Sequence, residues 1–458
     1  MNLIAQLQKH SDSLRAVDIA FADTLRRLDP RTDPQVLAGA ALASLAVSAG
    51  HAAFDPSQPQ WLLGAVDGLP DAETWIAALR ASPWVSEPAM QDSAAASRPL
   101  VLENGLLYLR RYREYEYRLA AGLQRIAVRA PSAVDVGALA PLFAALFPHA
   151  RAGDAQARAA ALALLRSLLL VTGGPGTGKT TTIARLLLLL LAQAQATGTA
   201  TPRIALAAPT GRAAERMAES LRRASASLRA TTGVGAALCD ALPTQARTLH
   251  RLLGTIPDSP RFRHHAGNPL PFEVIVVDEA SMVDLPLMCK LVEAVGDGAR
   301  LVLLGDRDQL PSVEAGDVLA AITDAAGTDD ALPAGIVHAL APLLGETAIA
   351  PDAQPLLAGH RVQLLRGYRQ SEALELAPLA AAARDGEADV ALALLRGGTL
   401  AGVQFHEGLH DPLAGTTRQP LLDAWRAIAA ADPDAALALA ARVRLLTALR
   451  DGPQGASV

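Results

Sequence analysis

The chain has 458 residues, enough for about three domains with cores of their own, and 51% of them are apolar, which excludes a disordered polypeptide. The formal net charge of −5 gives no general pull toward a polyanion, so any nucleic-acid site must be a local patch. The two cysteines, Cys239 and Cys289, lack metal-ligand spacing and read as thiols of a reducing compartment.

The opening stretch, MNLIAQLQKHSDSLRAVDIAF, carries charges where a secretory leader would be apolar. No apolar run approaches the ~18 residues that span a bilayer. A soluble cytoplasmic protein is expected. Residues 1–110 read as helical, with DPQVLAGAALASLAVSAGHAAF uninterrupted except at Gly39 and with Trp61, Trp75 and Trp84 following. RPLVLENGLLYL predicts a short hairpin turning at Asn104-Gly105, and a helix follows it. On that helix the Tyr112, Tyr115, Arg118 and Leu119 face reads as packing.

From about residue 150 the pattern becomes strand, loop, helix, repeated. SLLLVTG, RIALAAPT, FEVIVVDEA and ARLVLLGD are apolar runs that end in polar residues or glycine and lead toward helical patterns. Near-continuous apolar strands alternating with helices predict a parallel sheet covered on both faces. Ligands of such sheets sit at the carboxyl ends of the strands, where the polar endings converge. Residues 321–360 read as a connector with some helix, and a second α/β region is expected from RVQLLRGYRQS onward.

The phosphate chemistry is concentrated in GGPGTGKTT, Gly173, Gly174, Pro175, Gly176, Thr177, Gly178, Lys179, Thr180 and Thr181. It fits G-x-x-x-x-G-K-[ST] between a predicted strand and a helix, the context this motif requires. Glycines let backbone N–H groups turn inward around phosphates, and the helix N-terminus adds its dipole. Lys179 would reach the β and γ phosphates, and Thr180 would offer its hydroxyl to Mg²⁺. Only three of the 41 basic residues are lysines (Lys9, Lys179 and Lys290), yet the loop holds one; a compact ammonium fits between phosphate oxygens better than a broad guanidinium.

VIVVDEAS supplies the acidic partner. Asp278 would join the Mg²⁺ shell, and Glu279 would take the proton of a water attacking the γ phosphate. Phosphoryl transfer to a non-water acceptor needs no such glutamate, so hydrolysis is favoured. In LVLLGDRDQL, Gln309 would hydrogen-bond the γ phosphate or the attacking water. The FRHH run is read as a solvated or DNA-facing loop, because adjacent histidines on an extended segment point to opposite sides.

GGPGTGKTTT, LAAPTGRAAERMAESL, RTLHRLLG, VVDEASMVDLPLM, LGDRDQLPSVEAGDVL and LLRGYRQS occur in that order. Together they resemble the superfamily-one helicases of the RecD type, the alpha subunit of bacterial exodeoxyribonuclease V (RecBCD), over about residues 100–458. The resemblance implies an α/β fold: a helical N-terminal partner-docking domain over 1–110, a RecA-like P-loop lobe over 111–345, and the beginning of a second RecA-like lobe over 346–458. It implies that Gln156 reads the adenine, that Thr210, Arg212, Thr248 and His250 contact single-stranded DNA, and that Arg369 reaches the γ phosphate from the second lobe.

The implied activity is ATP- and Mg²⁺-dependent 5′→3′ unwinding of duplex ends for double-strand break repair, beside RecB-like and RecC-like subunits. Degradation would belong to a partner, since the chain shows no nuclease carboxylate cluster. The family continues into two further motifs, one DNA-contacting and one supplying a phosphate-sensing arginine, which do not occur before Val458. An ATP-binding but motor-inactive assembly subunit is therefore an alternative expectation, and a protein-remodelling P-loop ATPase is a more distant one.

Overall fold

The computed structural model describes residues 3, 7, 13–64, 66, 68–88, 98–129, 135–148, 150, 153–174, 176–309, 315–327, 331–345, 348–349, 357–364, 376–408, 418–447, 449–451 and 455–457. The chain forms two compact units, residues 1–369 and 370–458.

The first unit opens with helices α1 (Ala16–Leu28) and α2 (Pro34–Ser48), strand β1 (Ala53–Phe54), helices α3 (Gln60–Leu63) and α4 (Ala72–Arg80), and strands β2 (Val85–Ser86), β3 (Leu100–Glu103) and β4 (Leu106–Leu109). Asp33 caps α2 by accepting from the Gln35 N–H, and Pro34 starts it with a preset φ. This helix is buried almost all round, which is why its sequence lacks a polar stripe. Trp75 is fully buried, donates its indole N–H to the Gln35 carbonyl at 2.9 Å, and meets Phe54 edge-to-face at 5.2 Å. The Asn104-Gly105 hairpin is present: both residues have positive φ, 53° and 80°, as a tight turn between twisted strands needs. It belongs to a four-stranded sheet, β1-β4-β3-β2, whose two-residue strands are too short to betray themselves by alternation.

Helix α5 (Arg110–Val128) follows the hairpin directly. Tyr115 and Leu119 are buried, and Arg118 grips Glu293 through paired hydrogen bonds of 2.6 and 2.7 Å, so this face packs as expected. Next come α6 (Ala140–Leu146), α7 (Ala155–Leu165), β5 (Leu168–Gly173), α8 (Lys179–Ala196), β6 (Ile204–Ala208), α9 (Gly211–Arg229), α10 (Ala236–Asp240), β7 (Arg247–Thr248), α11 (Leu249–Leu253), β8 (Val274–Val277), α12 (Leu285–Ala294), β9 (Arg300–Gly305), α13 (Val318–Ala325), α14 (Ala334–Leu344) and β10 (Arg361–Leu364).

These strands build one parallel sheet in the order β10-β5-β9-β8-β6-β7. All four expected apolar strands are in it. Alternate residues feed two cores. Leu169, Val171, Val276, Val302 and Leu304 pack under α7, α8 and α9, while Leu168, Leu170, Ile275, Val277, Leu301 and Leu303 pack under α5 and α12. Leu186 through Leu191 of α8 are all at most 2% exposed, so the leucine run is a helix buried in protein. No helix among the described residues is long and apolar enough to cross a membrane.

The region expected to open a second lobe is corrected in part. RVQL does not start a separate sheet; as β10 it pairs with β5 from Arg361↔Leu170 to Leu364↔Gly173, and the first unit runs to Arg369. Gly173 permits this approach, since a Cβ there would lie 2.7 Å from the Leu364 carbonyl oxygen. The connector contains α13 and α14, as its partial helical pattern suggests. In the second unit the described elements are α15 (Ala377–Arg384), α16 (Ala388–Gly397), α17 (Arg418–Ala430), α18 (Pro433–Ala440) and a short parallel pair, β11 (Leu449–Asp451) and β12 (Gly455–Ser457).

Candidate nucleotide site and single-strand face

The glycine loop leaves β5 at its carboxyl end and enters α8 at Lys179. Gly176 and Gly178 have φ of 80° and 86°, a conformation that only glycine adopts without strain, and it bends the backbone back on itself. The Thr177 hydroxyl donates to the Gly174 carbonyl at 2.9 Å and closes the turn. The Lys179 ammonium folds onto the loop, donating to the Gly173 carbonyl and, at 3.1 Å, to that of Gly174.

Asp278 follows β8 directly, and its own N–H is held by the Ala207 carbonyl of β6 at 2.9 Å. Burial pushes its carboxyl above the ordinary carboxylate range; the Glu279 N–H at 2.9 Å and the Lys179 cation pull it the other way. Glu279 sits at φ +54°, a left-handed conformation rare for a non-glycine residue and characteristic of functional turns. Ser281 then donates its hydroxyl to Gln309 Oε1 at 3.3 Å.

Gly174, Gly176, Thr177, Gly178, Lys179, Thr180, Thr181, Asp278, Glu279 and Gln309 line one cavity of about 740 Å³. Residues from three strand ends, far apart in sequence, thus converge on a space the size of a nucleotide site. Gly173 closes β5 beneath it. Gln156, near the start of α7, donates its Nε2 to the Thr177 carbonyl at 3.1 Å. Pro175 and Arg369 lie outside the described residues.

Thr210 and Thr248 do not line that cavity. Each caps a helix: Thr210 accepts from the Ala213 N–H at 3.2 Å, and Thr248 from the Arg251 N–H at 3.3 Å. Their strands are neighbours, paired at Ala208↔Thr248, so both threonines stand at one edge of the sheet, the carboxyl edge that also carries the phosphate loop. Arg212 and His250 are exposed on the helices so capped, and the His250 ring meets Phe262 edge-to-face at 5.7 Å. His264 Nδ1 lies 3.2 Å from the Asn268 and Pro269 carbonyls, and His265 Nδ1 accepts from the Gly267 N–H, so both rings serve their own hairpin. No cluster of three or more metal-ligating side chains occurs among the described residues.

Sequence reasoning missed the α9 wall of the cavity, where Arg216, Glu219, Ser220 and Arg223 line it. Their i, i+3, i+4, i+7 spacing on an amphipathic helix was the available signal. Arg223 pairs with Glu219 across one turn of the helix. Arg185, which contacts Gln156, left no sequence signal, because that contact exists only through folding.

Fold and cavity together define a P-loop ATPase lobe: a parallel sheet with a glycine loop, an apical lysine and an acid-bearing neighbouring strand around one nucleotide-sized space. Residues 156–315 match the family described as AAA domain, and residues 10–108 match RecBCD enzyme subunit RecD, N-terminal domain. The RecBCD enzyme subunit RecD of Mycobacterium tuberculosis is 41% identical over 444 residues, which is 96% of this chain and 68% of that protein. The RecD subunit of Mycolicibacterium smegmatis is 38% identical over 460 residues, 98% of this chain and 72% of that protein. The ATP-dependent RecD2 DNA helicase of Deinococcus radiodurans is 41% identical over 125 residues, 27% of this chain and 14% of that protein. The chain belongs to the RecD family of helicase subunits.

Proposed function

We propose that the chain is the ATP-hydrolysing motor subunit of a RecBCD-type complex, moving 5′→3′ on single-stranded DNA in the cytoplasm. The observation that carries the reading is the convergence of Lys179, Thr180, Asp278, Glu279 and Gln309 on one cavity, at the sheet edge that also carries Thr210 and Thr248.

Loop N–H groups and Lys179 hold the phosphates. Lys179 leaves the Gly173 and Gly174 carbonyls to do so, a switch from weak acceptors to a full anion. Asp278 and Thr180 suit Mg²⁺: a buried carboxylate whose charge is poorly compensated gains from a divalent cation, and a magnesium ion takes its remaining ligands from water and phosphate. Bound there, Mg²⁺ would neutralise charge building on the transferred phosphoryl group. Glu279 accepts the proton of the attacking water, and Gln309 orients that water. Its bond to Ser281 joins the state of the γ phosphate to the turn that carries Glu279. Arg369 completes the charge stabilisation, and Gln156 reads the adenine.

Thr210, Arg212, Thr248 and His250 contact the strand. Helix-capping threonines present backbone N–H groups, which hold phosphates without reading sequence, so binding is salt-sensitive and sequence-tolerant. The N-terminal domain, residues 1–110, docks on a RecC-like subunit, and degradation falls to a RecB-like one. The second unit, residues 370–458, belongs to a second RecA-like lobe. Strand separation tests the reading. The chain assembled with its RecB- and RecC-like partners should open a duplex bearing a 5′ single-stranded tail in an ATP-dependent way, and Lys179→Ala should abolish that share of the unwinding. Unwinding unchanged by Lys179→Ala contradicts it.

A further inference from the structure

We infer that Arg185 is a positioning residue for base selection: it fixes which end of the Gln156 amide points where, and so makes adenine the favoured base. This rests on the reading of Gln156 as the residue that meets the base.

The two ends of a glutamine amide are alike in size and opposite in polarity. In this site each end has a neighbour of fixed polarity. The Thr177 carbonyl only accepts, and it takes Nε2–H at 3.1 Å. The Arg185 guanidinium only donates, and its Nη1 lies 3.4 Å from Oε1. Both neighbours demand the same orientation. Arg185 is itself held, with its guanidinium 5.1 Å from the centre of the Phe147 ring. Phe147 is 5% exposed and packs on Phe143 at 5.0 Å, so this support belongs to the core. Arg185 also stands on α8, the helix that begins at the phosphate loop, and Thr177 is part of the loop. Base and phosphate recognition therefore share one small set of contacts.

So oriented, the amide keeps one Nε2 hydrogen and one Oε1 lone pair for a ligand. That donor–acceptor pair matches the N7 acceptor and N6 amine of adenine. Guanine offers two acceptors, N7 and O6, and whichever way the amide turns, one of its ends faces an acceptor wrongly. The two bases thus depend differently on Arg185. Turning the amide over reverses both adenine contacts, whereas it exchanges one good and one bad guanine contact for another such pair. Loss of the orienting cation should weaken adenine binding and leave guanine binding almost as it was.

Dissociation constants of ribose-labelled fluorescent ATP and GTP, measured on the full chain, test this. The unaltered protein should prefer ATP. Arg185→Ala should raise the ATP constant about threefold to tenfold, the range of one modest hydrogen bond, with the GTP constant nearly unchanged. Arg185→Lys, still donor-only, should retain most of the preference. Arg185→Met keeps an apolar stem on Phe147 and should behave like the alanine variant, which covers the case in which Arg185→Ala does not fold. Equal weakening of both nucleotides would make Arg185 a packing residue and overturn the inference, as would an unchanged ratio or no ATP preference in the unaltered protein. Failure of the unaltered protein to bind either nucleotide would remove the ATPase reading beneath it and the inference with it.

Discussion

The Lys179 ammonium donates to the carbonyl oxygen of Gly174 at 3.1 Å, so the loop holds its own cation on its own backbone. The Lys179 bonds to Gly173 and Gly174 span only five or six residues, from the end of β5 to the start of α8, and draw on no distant part of the fold. Lys179→Ala should therefore leave the thermal midpoint within a few degrees of the unaltered protein. ATP hydrolysis should fall by about 10²-fold or more, the scale for removing one charge-stabilising donor. Calorimetry and steady-state hydrolysis, run on the same preparation, check both halves.

Glu279→Gln separates binding from chemistry. The amide is the same size and cannot accept the proton, so hydrolysis should drop on the order of 10²-fold while ATP still binds. Near-normal turnover would remove the assignment of Glu279 as base.

Asp278 carries an apparent conflict between stability and function. Its folded carboxyl titrates above the ordinary range because burial penalises the charge. A raised carboxylate favours the fold at low pH, and that advantage is lost as pH rises through the folded value. In nucleotide-free protein at neutral pH, Asp278→Asn should thus raise the thermal midpoint, most visibly above the raised value, while ending Mg²⁺-dependent hydrolysis. A lower midpoint in the variant would contradict the burial argument.

His360 acts in the opposite direction. Burial, with the Arg166 cation beside it, pushes its imidazole down to about 4, and its Nδ1 lies 2.9 Å from the Leu168 carbonyl at the start of β5. The neutral ring belongs to the folded state, so stability is complete above about pH 6.5 and declines as pH falls toward 4. The loss by pH 4 is on the order of 3 kcal/mol. His360→Asn keeps a donor for Leu168 and cannot titrate in this range. Its midpoint should fall less between pH 6.5 and 4 than that of the unaltered protein.

Gly173 and Leu364 explain what was legible in the sequence and what was not. The strands β5, β6, β8 and β9 could be read because each is buried on both faces and therefore nearly all apolar. The phosphate loop could be read because its chemistry demands particular residues at fixed spacing. β10 alternates polar and apolar residues, and nothing in RVQL says which sheet it joins; that is decided where Gly173, lacking a Cβ, lets the Leu364 backbone approach. Gly173→Ala should destabilise by about 1–3 kcal/mol, the range for overpacking, and denaturant unfolding would measure it. The site divides the same way. Lys179, Asp278, Glu279 and Gln309 announce themselves by motif. Arg216 on the cavity wall and Arg185 behind Gln156 owe their places to helix packing, and ordinary helical arginines look the same in a sequence.

Steady-state ATP hydrolysis by the full chain, with and without a single-stranded DNA oligonucleotide, tests the account most directly. The rate should climb with added strand to a plateau, weaken as salt rises, and vanish into background in Glu279→Gln. A rate that is the same with and without the strand would contradict it.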